Sequence, residues 1–460
     1  MDDIKNQGTE TRLTRREKVS FFMVNFGNVP IMTLIGGFLL IFYTDVAGLD
    51  PITVGAIFLI TRIIDAFNDP LMGYIVDHLP KTKWGRFRPY IVLGTMICAV
   101  NYIILWLGPG FAPAGVKLLW VFISYILFGF TFDLMDIPLN SMIPVMSETG
   151  KTRDTLSLIK SFGYTFGGII IYVVTIPFVS SFPTPLIGYS FFIVVISLFV
   201  VFASLIGTLG IKERIEPVQL EGKDKNYNFK EFLKVLSSKP VYTHFFSSLS
   251  SSIGSGAMST ALIFFLTYVV EMPEVLGIFA ILLVLGTFIG MGLGKSILNK
   301  YGKKYTLVLG SFIGNIPLFF ILLVNPKNLV AICVIYAISG IGSGLGMLVG
   351  YGLQADNTDY IEWKHGTRTE GAIASLVSLV MKGGMGVGTA LVGFVLGFSG
   401  YVPLVSQSPS AILGIYIIFI IIPSSLGLIS GLIILFFYPL TKELNKKIAL
   451  ELIEMRNQNI

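Results

Sequence analysis

Charge is scarce in this chain. Asp, Glu, Lys and Arg together make up 13% of its 460 residues, about half the ~25% usual in a soluble domain. That excludes a water-soluble multidomain enzyme, although the length alone would allow one. Cysteine is nearly absent: Cys98 and Cys333 both lie inside apolar runs. There is thus no disulfide framework and no thiolate cluster for a metal, and each reads as a small buried hydrophobe. Histidine is as sparse. His78 and His365 fall in polar loops and His244 near the start of an apolar run, a scatter that supports neither a metal centre nor a nucleophile–base pair. No enzyme is expected, and no cofactor. The net charge of +6 would suggest nucleic acid on a soluble protein, but here the basic residues occupy short loops, so no nucleic-acid partner is expected. No cleavable leader is expected either, because Met1 to Lys18 is polar and the first apolar run is too long for one.

What the chain has in abundance is hydrophobic length. Apolar residues make up 53% and mean hydropathy is +0.78. Runs of the roughly 20 residues that cross a bilayer fall at about 20–43, 52–77, 89–108, 118–142, 155–179, 186–210, 241–270, 274–298, 305–325, 328–352, 371–399 and 411–438. Placing both termini in the cytoplasm leaves Lys117 and Lys327 as the only basic residues in outside loops. Arg62, Lys160 and Lys382 lie within spans, and every other Lys or Arg is inside. Such an asymmetry selects twelve spans with cytoplasmic termini in the plasma membrane, since one span more or fewer would scramble it.

The chain also looks duplicated. The stretch from Lys212 to Lys239 separates two sets of six spans, and the loop after the second span of each set has a common pattern. The first runs from Gly73 through Asp77 to Gly85, Arg86 and Arg88; the second from Gly294 through Asn299 and Lys300 to Gly302, Lys303 and Lys304. Glycine permits a tight turn, Asp or Asn caps a helix end, and the cations face the cytoplasm; a bland reading is that short inside loops often hold Lys and Gly. The expected organisation is a tail (1–18), a six-helix bundle (19–210), a cytoplasmic linker (211–239), a second six-helix bundle (240–440) and a tail (441–460).

Charges within spans are costly and mark functional sites. Span 2 contains Arg62, Asp65, Asn68 and Asp69, and span 4 contains Asp133, Asp136 and Asn140; Lys160 follows in span 5 and Lys382 in span 11. Asp65 and Asp69 share a helix face, with Arg62 as charge partner on nearly the same one. Four carboxylates against three cations leave one negative charge, where a mobile cation or a proton would bind. The competing reading is that these groups merely pair and hold the helices together.

At these residues the chain resembles the glycoside–pentoside–hexuronide:cation symporters, the melibiose permease family of the major facilitator superfamily. The resemblance rests on Phe42-Tyr-Thr-Asp45, Arg62-Ile-Ile-Asp65-Ala-Phe-Asn68-Asp69-Pro70, Trp84-Gly-Arg-Phe-Arg-Pro89, Met135-Asp136-Ile-Pro138, Ala355-Asp356-Asn-Thr-Asp359-Tyr360 and Lys382-Gly-Gly384. It implies an all-α membrane protein of twelve transmembrane helices in two pseudo-symmetric six-helix bundles, which rock about a midplane site. It implies a cation site at Asp65 and Asp69, solute binding at Asp136 and Lys160, and Lys382 close to the cation-site carboxylates. Asp133 and Asn68 are read beside them as further cation-site residues, Asn140 and Lys382 as further solute-binding ones, and Na+ as one ion that Asp65 and Asp69 could hold. Three positions depart from the family pattern: an acidic sugar ligand aligns near Val29, a Trp that packs on the sugar aligns with Asn140, and a Thr of the cation site aligns with Asp133. The first two argue against a melibiose-type galactoside.

The expected function is symport of a sugar or glycoside with Na+, Li+ or H+ by a functional monomer in a lipid bilayer. Two other readings stand beside it: the same fold carrying a uronide or a non-sugar amphipathic solute, and a non-transporting sensor. The charged segment Asp356 to Glu370, with Asp359 and Arg368, is read as a cytoplasmic loop that gates against the loop Asp77 to Arg88, or as an ordinary solvated loop.

Overall fold

The computed structural model describes residues 13–77, 80, 82–147, 150–214, 237–365 and 370–458. Among them the regular structure is helical, apart from one isolated bridge between Thr82 and Gly85. The first helix, α1 (Arg15–Ile41), opens on a capping box, Thr14 and Glu17 each satisfying the other's backbone N–H. It ends in a π turn, Phe42–Val46. There follow α2 (Pro51–Asp77), α3 (Arg88–Phe111), α4 (Lys117–Asn140), the short α5 (Met142–Met146), α6 (Gly150–Ser180) and α7 (Pro185–Gly210). Next come α8 (Lys239–Phe265), which also ends in a π turn, Leu266–Val270, then α9 (Leu276–Phe319), α10 (Leu329–His365) and α11 (Glu370–Phe398). The last elements are α12 (Pro409–Tyr416), α13 (Ile422–Phe437) and α14 (Lys442–Gln458).

Ten stretches among the described residues are long and apolar enough to cross a membrane. One of them, Pro273–Leu323, holds two spans, because Gly302 breaks α9 with φ 81° and ψ 175°. The 27-residue α2, which carries Arg62, Asp65 and Asp69, supplies the span that completes twelve. The surface is apolar where a soluble protein's would be polar: Ile63, Val100, Leu198, Phe202 and Leu293 all stand more than half exposed. Polar side chains such as Asn28, Asn68, Asp133 and Asp136 are turned inward. That inversion is what a hydrocarbon solvent selects.

One boundary differs from expectation. Residues 356–365 are the last turns of α10, not a loop. The helix runs to 37 residues, more than the roughly 20 that cross a bilayer, because the amphipathic α14 offers its far end something to pack on: Leu353 is buried in one cluster with Ile448 and Leu452, and Tyr360 and Trp363 lie against it.

By packing, the chain divides into two compact units, Met1–Leu49 with Ile63–Leu220 and Asp50–Arg62 with Glu221–Ile460. In the first, α1 packs on α6 and α7, and α3 packs on α4 and α7. In the second, α9 packs on α10, and α8 packs on α11 and α13. The first turns of α2 join the second unit because Gly55 meets α11 backbone to backbone. A Cβ there would stand 2.9 Å from the Ala390 carbonyl oxygen.

Candidate functional site

The acids of span 4 lie three residues apart on α4, so they share a face about one turn deep. Both are out of solvent, Asp133 at 4% and Asp136 at 9% exposure. A buried carboxylate demands donors or a cation, and the first unit supplies both acids with partners from neighbouring helices.

Asn68 of α2 donates its Nδ2 to Asp133 Oδ2 at 2.9 Å. An ionised carboxylate only accepts, so the amide must present its NH2 there and turn its oxygen away. Asn68 is 3% exposed, and that Oδ1 meets no donor. Asp65, one turn earlier on α2, lays its carboxylate against Gly129, where any Cβ would collide with Oδ1. Gly129 stands one turn before Asp133 on α4, so α2 and α4 together bring the oxygens of Asp65, Asn68 and Asp133 to one region. Such an all-oxygen set suits a hard monovalent cation. Asp69 lies on α2, but its side chain is outside the described residues.

Asp136 is held from two sides. Asn28 of α1 donates Nδ2 to Oδ1 at 3.1 Å, and Asn140 donates Nδ2 to Oδ2 at 2.8 Å. The Asn140 oxygen in turn accepts from Lys160 Nζ of α6. Lys160 lies over the Tyr164 ring, and the Tyr164 hydroxyl turns to Asp136. Asn28 Oδ1 is a second buried acceptor with no donor. The structure thus joins Asp136, Asn140 and Lys160, as the sequence suggested, and adds Asn28 and Tyr164. Asn28 carried no sequence signal, being an uncharged residue in an apolar run. Val29, the position aligned with the family's sugar ligand, packs its Cβ towards Gly167 of α6. Its neighbour Asn28 faces the acid instead.

Lys382 is half-buried on α11 of the second unit. Arg62, also grouped with that unit, runs its aliphatic stem over Gly386, leaving no room there for a Cβ. Of the loop motif, Gly73 and Asp77 lie on α2 with side chains outside the described residues, and Arg368 is outside them altogether. Gly85 adopts φ +116°. Arg86 stacks on Phe87, and Arg88 forks onto the Thr208 and Leu209 carbonyls that end α7. Asp356 and Asp359, expected in a loop, lie on α10. Asp356 accepts from Lys303 Nζ at 2.5 Å and from Asn445 Nδ2 of α14 at 2.6 Å.

Comparison with known proteins bears on this geometry. The sequence model of the family described as "MFS/sugar transport protein" matches residues 21–442. An isoprimeverose transporter of Lactiplantibacillus pentosus is 29% identical, over 94% of this chain and 90% of its own. A glucuronide carrier protein homolog of Escherichia coli K12 is 27% identical, over 90% of both chains. Among solved structures, a D-xylose-proton symporter superposes with TM-score 0.64 at 12% identity, over 92% of this chain and 97% of its own; that likeness concerns the fold alone.

Proposed function

The chain belongs to the MFS/sugar transport protein family, whose members are secondary transporters, and from that premise we propose that it imports a sugar or glycoside together with a monovalent cation. It does so as a monomer in the cytoplasmic membrane, with both termini inside. The observation that carries the reading is the single face of α4 that bears both Asp133 and Asp136. One is held from α2 by Asn68, the other from α1 and α6 by Asn28 and the Lys160–Asn140 pair.

Coupling follows from that shared face. Na+, Li+ or H+ neutralises the carboxylates of Asp65, Asp69 and Asp133, with the free oxygen of Asn68 as a further ligand. This fixes the rotation of α4 and so aims Asp136 at solute hydroxyls. Each ligand then tightens the other by the same factor. Lys382, on α11, is the further residue proposed as a solute ligand or charge partner. Cation and solute bound together lower the net charge that opposes crossing.

A uronide is the second reading, and Lys160 favours it. Its ammonium rests on the neutral oxygen of Asn140, and a carboxylate on the solute would give it a direct counter-charge. Right-side-out vesicles test both readings. Labelled isoprimeverose and methyl β-glucuronide are offered while Na+, Li+ and H+ gradients are varied one at a time. Uptake that responds to one ion and fails in Asp65→Cys supports symport; uptake indifferent to every gradient rejects it.

A further inference from the structure

The loops after α2 and within α9 contain the two glycines that the sequence pairs across the duplication. Both have left-handed φ, +116° at Gly85 and +81° at Gly302, a region that side-chain-bearing residues rarely enter. Each is also covered by one side chain from the segment that follows the sixth span of its own unit. A Cβ on Gly85 would meet the Glu213 carboxylate at 2.5 Å, and one on Gly302 would meet Lys442 Cβ at 2.9 Å.

The covering groups have opposite charge, and each suits the helix end it meets. Glu213 accepts three consecutive backbone N–H groups at the start of α3: Arg86 at 2.7 Å, Phe87 at 2.9 Å and Arg88 at 3.0 Å. An N-terminus has four such orphan donors and a partial positive charge. Lys442 donates Nζ to the Asn299 carbonyl at 2.6 Å, at the end of the first part of α9. A helix C-terminus is the end that favours a cation.

Neighbouring residues anchor each cover. The Arg214 backbone N–H donates to the Val145 carbonyl at 2.9 Å, and Arg214 Nη2 pairs with Glu17 of α1 at 2.5 Å. Arg88 returns the contact from the loop side onto α7. In the second unit, Lys304 Nζ donates to the Tyr438 carbonyl at 2.8 Å, and Asn445 and Lys303 share Asp356.

We infer that the segment after the sixth span of each unit is a clip that sets the conformation of the loop after the second span, with Glu213 and Lys442 as positioning residues. The clip binds the ends of non-adjacent spans to one another, so that each unit moves as a single body during transport. This inference rests on the transport reading for its purpose but not for its geometry.

Hydrogen exchange on the full-length protein in lipid nanodiscs tests the geometry, and uptake of labelled isoprimeverose and methyl β-glucuronide tests the purpose. In Glu213→Ala, amides 86–88 should exchange about tenfold faster or more, as three charge-assisted bonds are lost. Peptides of α4 should be unchanged. Glu213→Gln keeps the shape and one good acceptor, so an intermediate effect is expected. Lys442→Met should loosen 299–303 and leave 86–88 untouched. Maximal uptake should fall about fivefold in Glu213→Ala, with KM within about twofold, because solute contacts remain and only the moving body softens. Unaltered exchange at 86–88 overturns the clip, as does loosening that spreads to α4. If the unmodified protein takes up neither isoprimeverose nor methyl β-glucuronide under any ion gradient, the transport reading falls, and the exchange measurements still decide the clip.

Discussion

Asn68 donates its amide to Asp133 at 2.9 Å from a neighbouring helix, and in doing so turns a buried, donor-free oxygen away from the acid. One hydrogen bond thus fixes both the direction of a carboxylate and that of a neutral oxygen. Removing the amide in Asn68→Ala is expected to raise the ion concentration for half-maximal uptake about tenfold, the effect of one hydrogen bond to a charged group. Solute KM at saturating ion should change less than about twofold. Ion titrations of uptake in vesicles check this, and an unchanged half-saturation point would remove Asn68 from the cation site.

Asn28 stands in the reciprocal place beside Asp136. In Asn28→Ala the expected change is a rise of about tenfold in solute KM with ion activation preserved. Asn28→Asp would set two carboxylates about 3 Å apart, so one must hold a proton. Uptake in that variant should be weak at neutral pH and recover as pH falls. Parallel pH profiles of the two variants provide the check; identical profiles would count against direct contact between residue 28 and Asp136.

Lys160 separates the two solute classes. Lys160→Gln keeps a donor for Asn140 but removes the charge. If the solute is a uronide, uptake should drop about 10-fold to 100-fold, as for loss of a charge-assisted pair. Uptake of a neutral glycoside should fall far less. Competition between methyl β-glucuronide and isoprimeverose in the variant reads the ratio directly, and an equal loss of both would reject a charged solute.

The C-terminal helix should be part of the fold and not an appendage. Leu452 and Ile448 are buried against α10 and α13, so Leu452→Ala removes core volume at an expected ~2–4 kcal/mol. A fall in apparent Tm of about 5 °C or more is expected, measured by thermal shift in detergent. Met455→Ala, at an exposed position on the same helix, should leave Tm within about 1 °C. Equal Tm values for the two variants would mean that α14 is not seated on the bundle.

Much of this was legible in the sequence because charge in an apolar run is conspicuous. Asp65, Asp133 and Asp136 stand out for that reason, and the sidedness of Lys and Arg orders the spans around them. Asn28 was not legible: an uncharged amide among apolar residues has no contrast, and only its hydrogen bond across to α4, with Val29 turned to α6, shows that it meets the acid. The length of α10 was hidden for a different reason. Polarity at Asp356 and Asp359 reads as the end of a span, whereas burial on a later helix keeps the segment helical. Glu213 was invisible because its partners are backbone amides, which leave no trace in residue type.

The π turn Ile417–Ile421 that joins α12 to α13 has a practical consequence. Such a turn accommodates one residue more than an α turn, so it slips the angular phase of everything beyond it by about 100°. A helical wheel drawn from α12 through Ile417–Ile421 into α13 therefore assigns the later residues to the wrong side. Cysteine scans of this last span need their wheel restarted at Ile422.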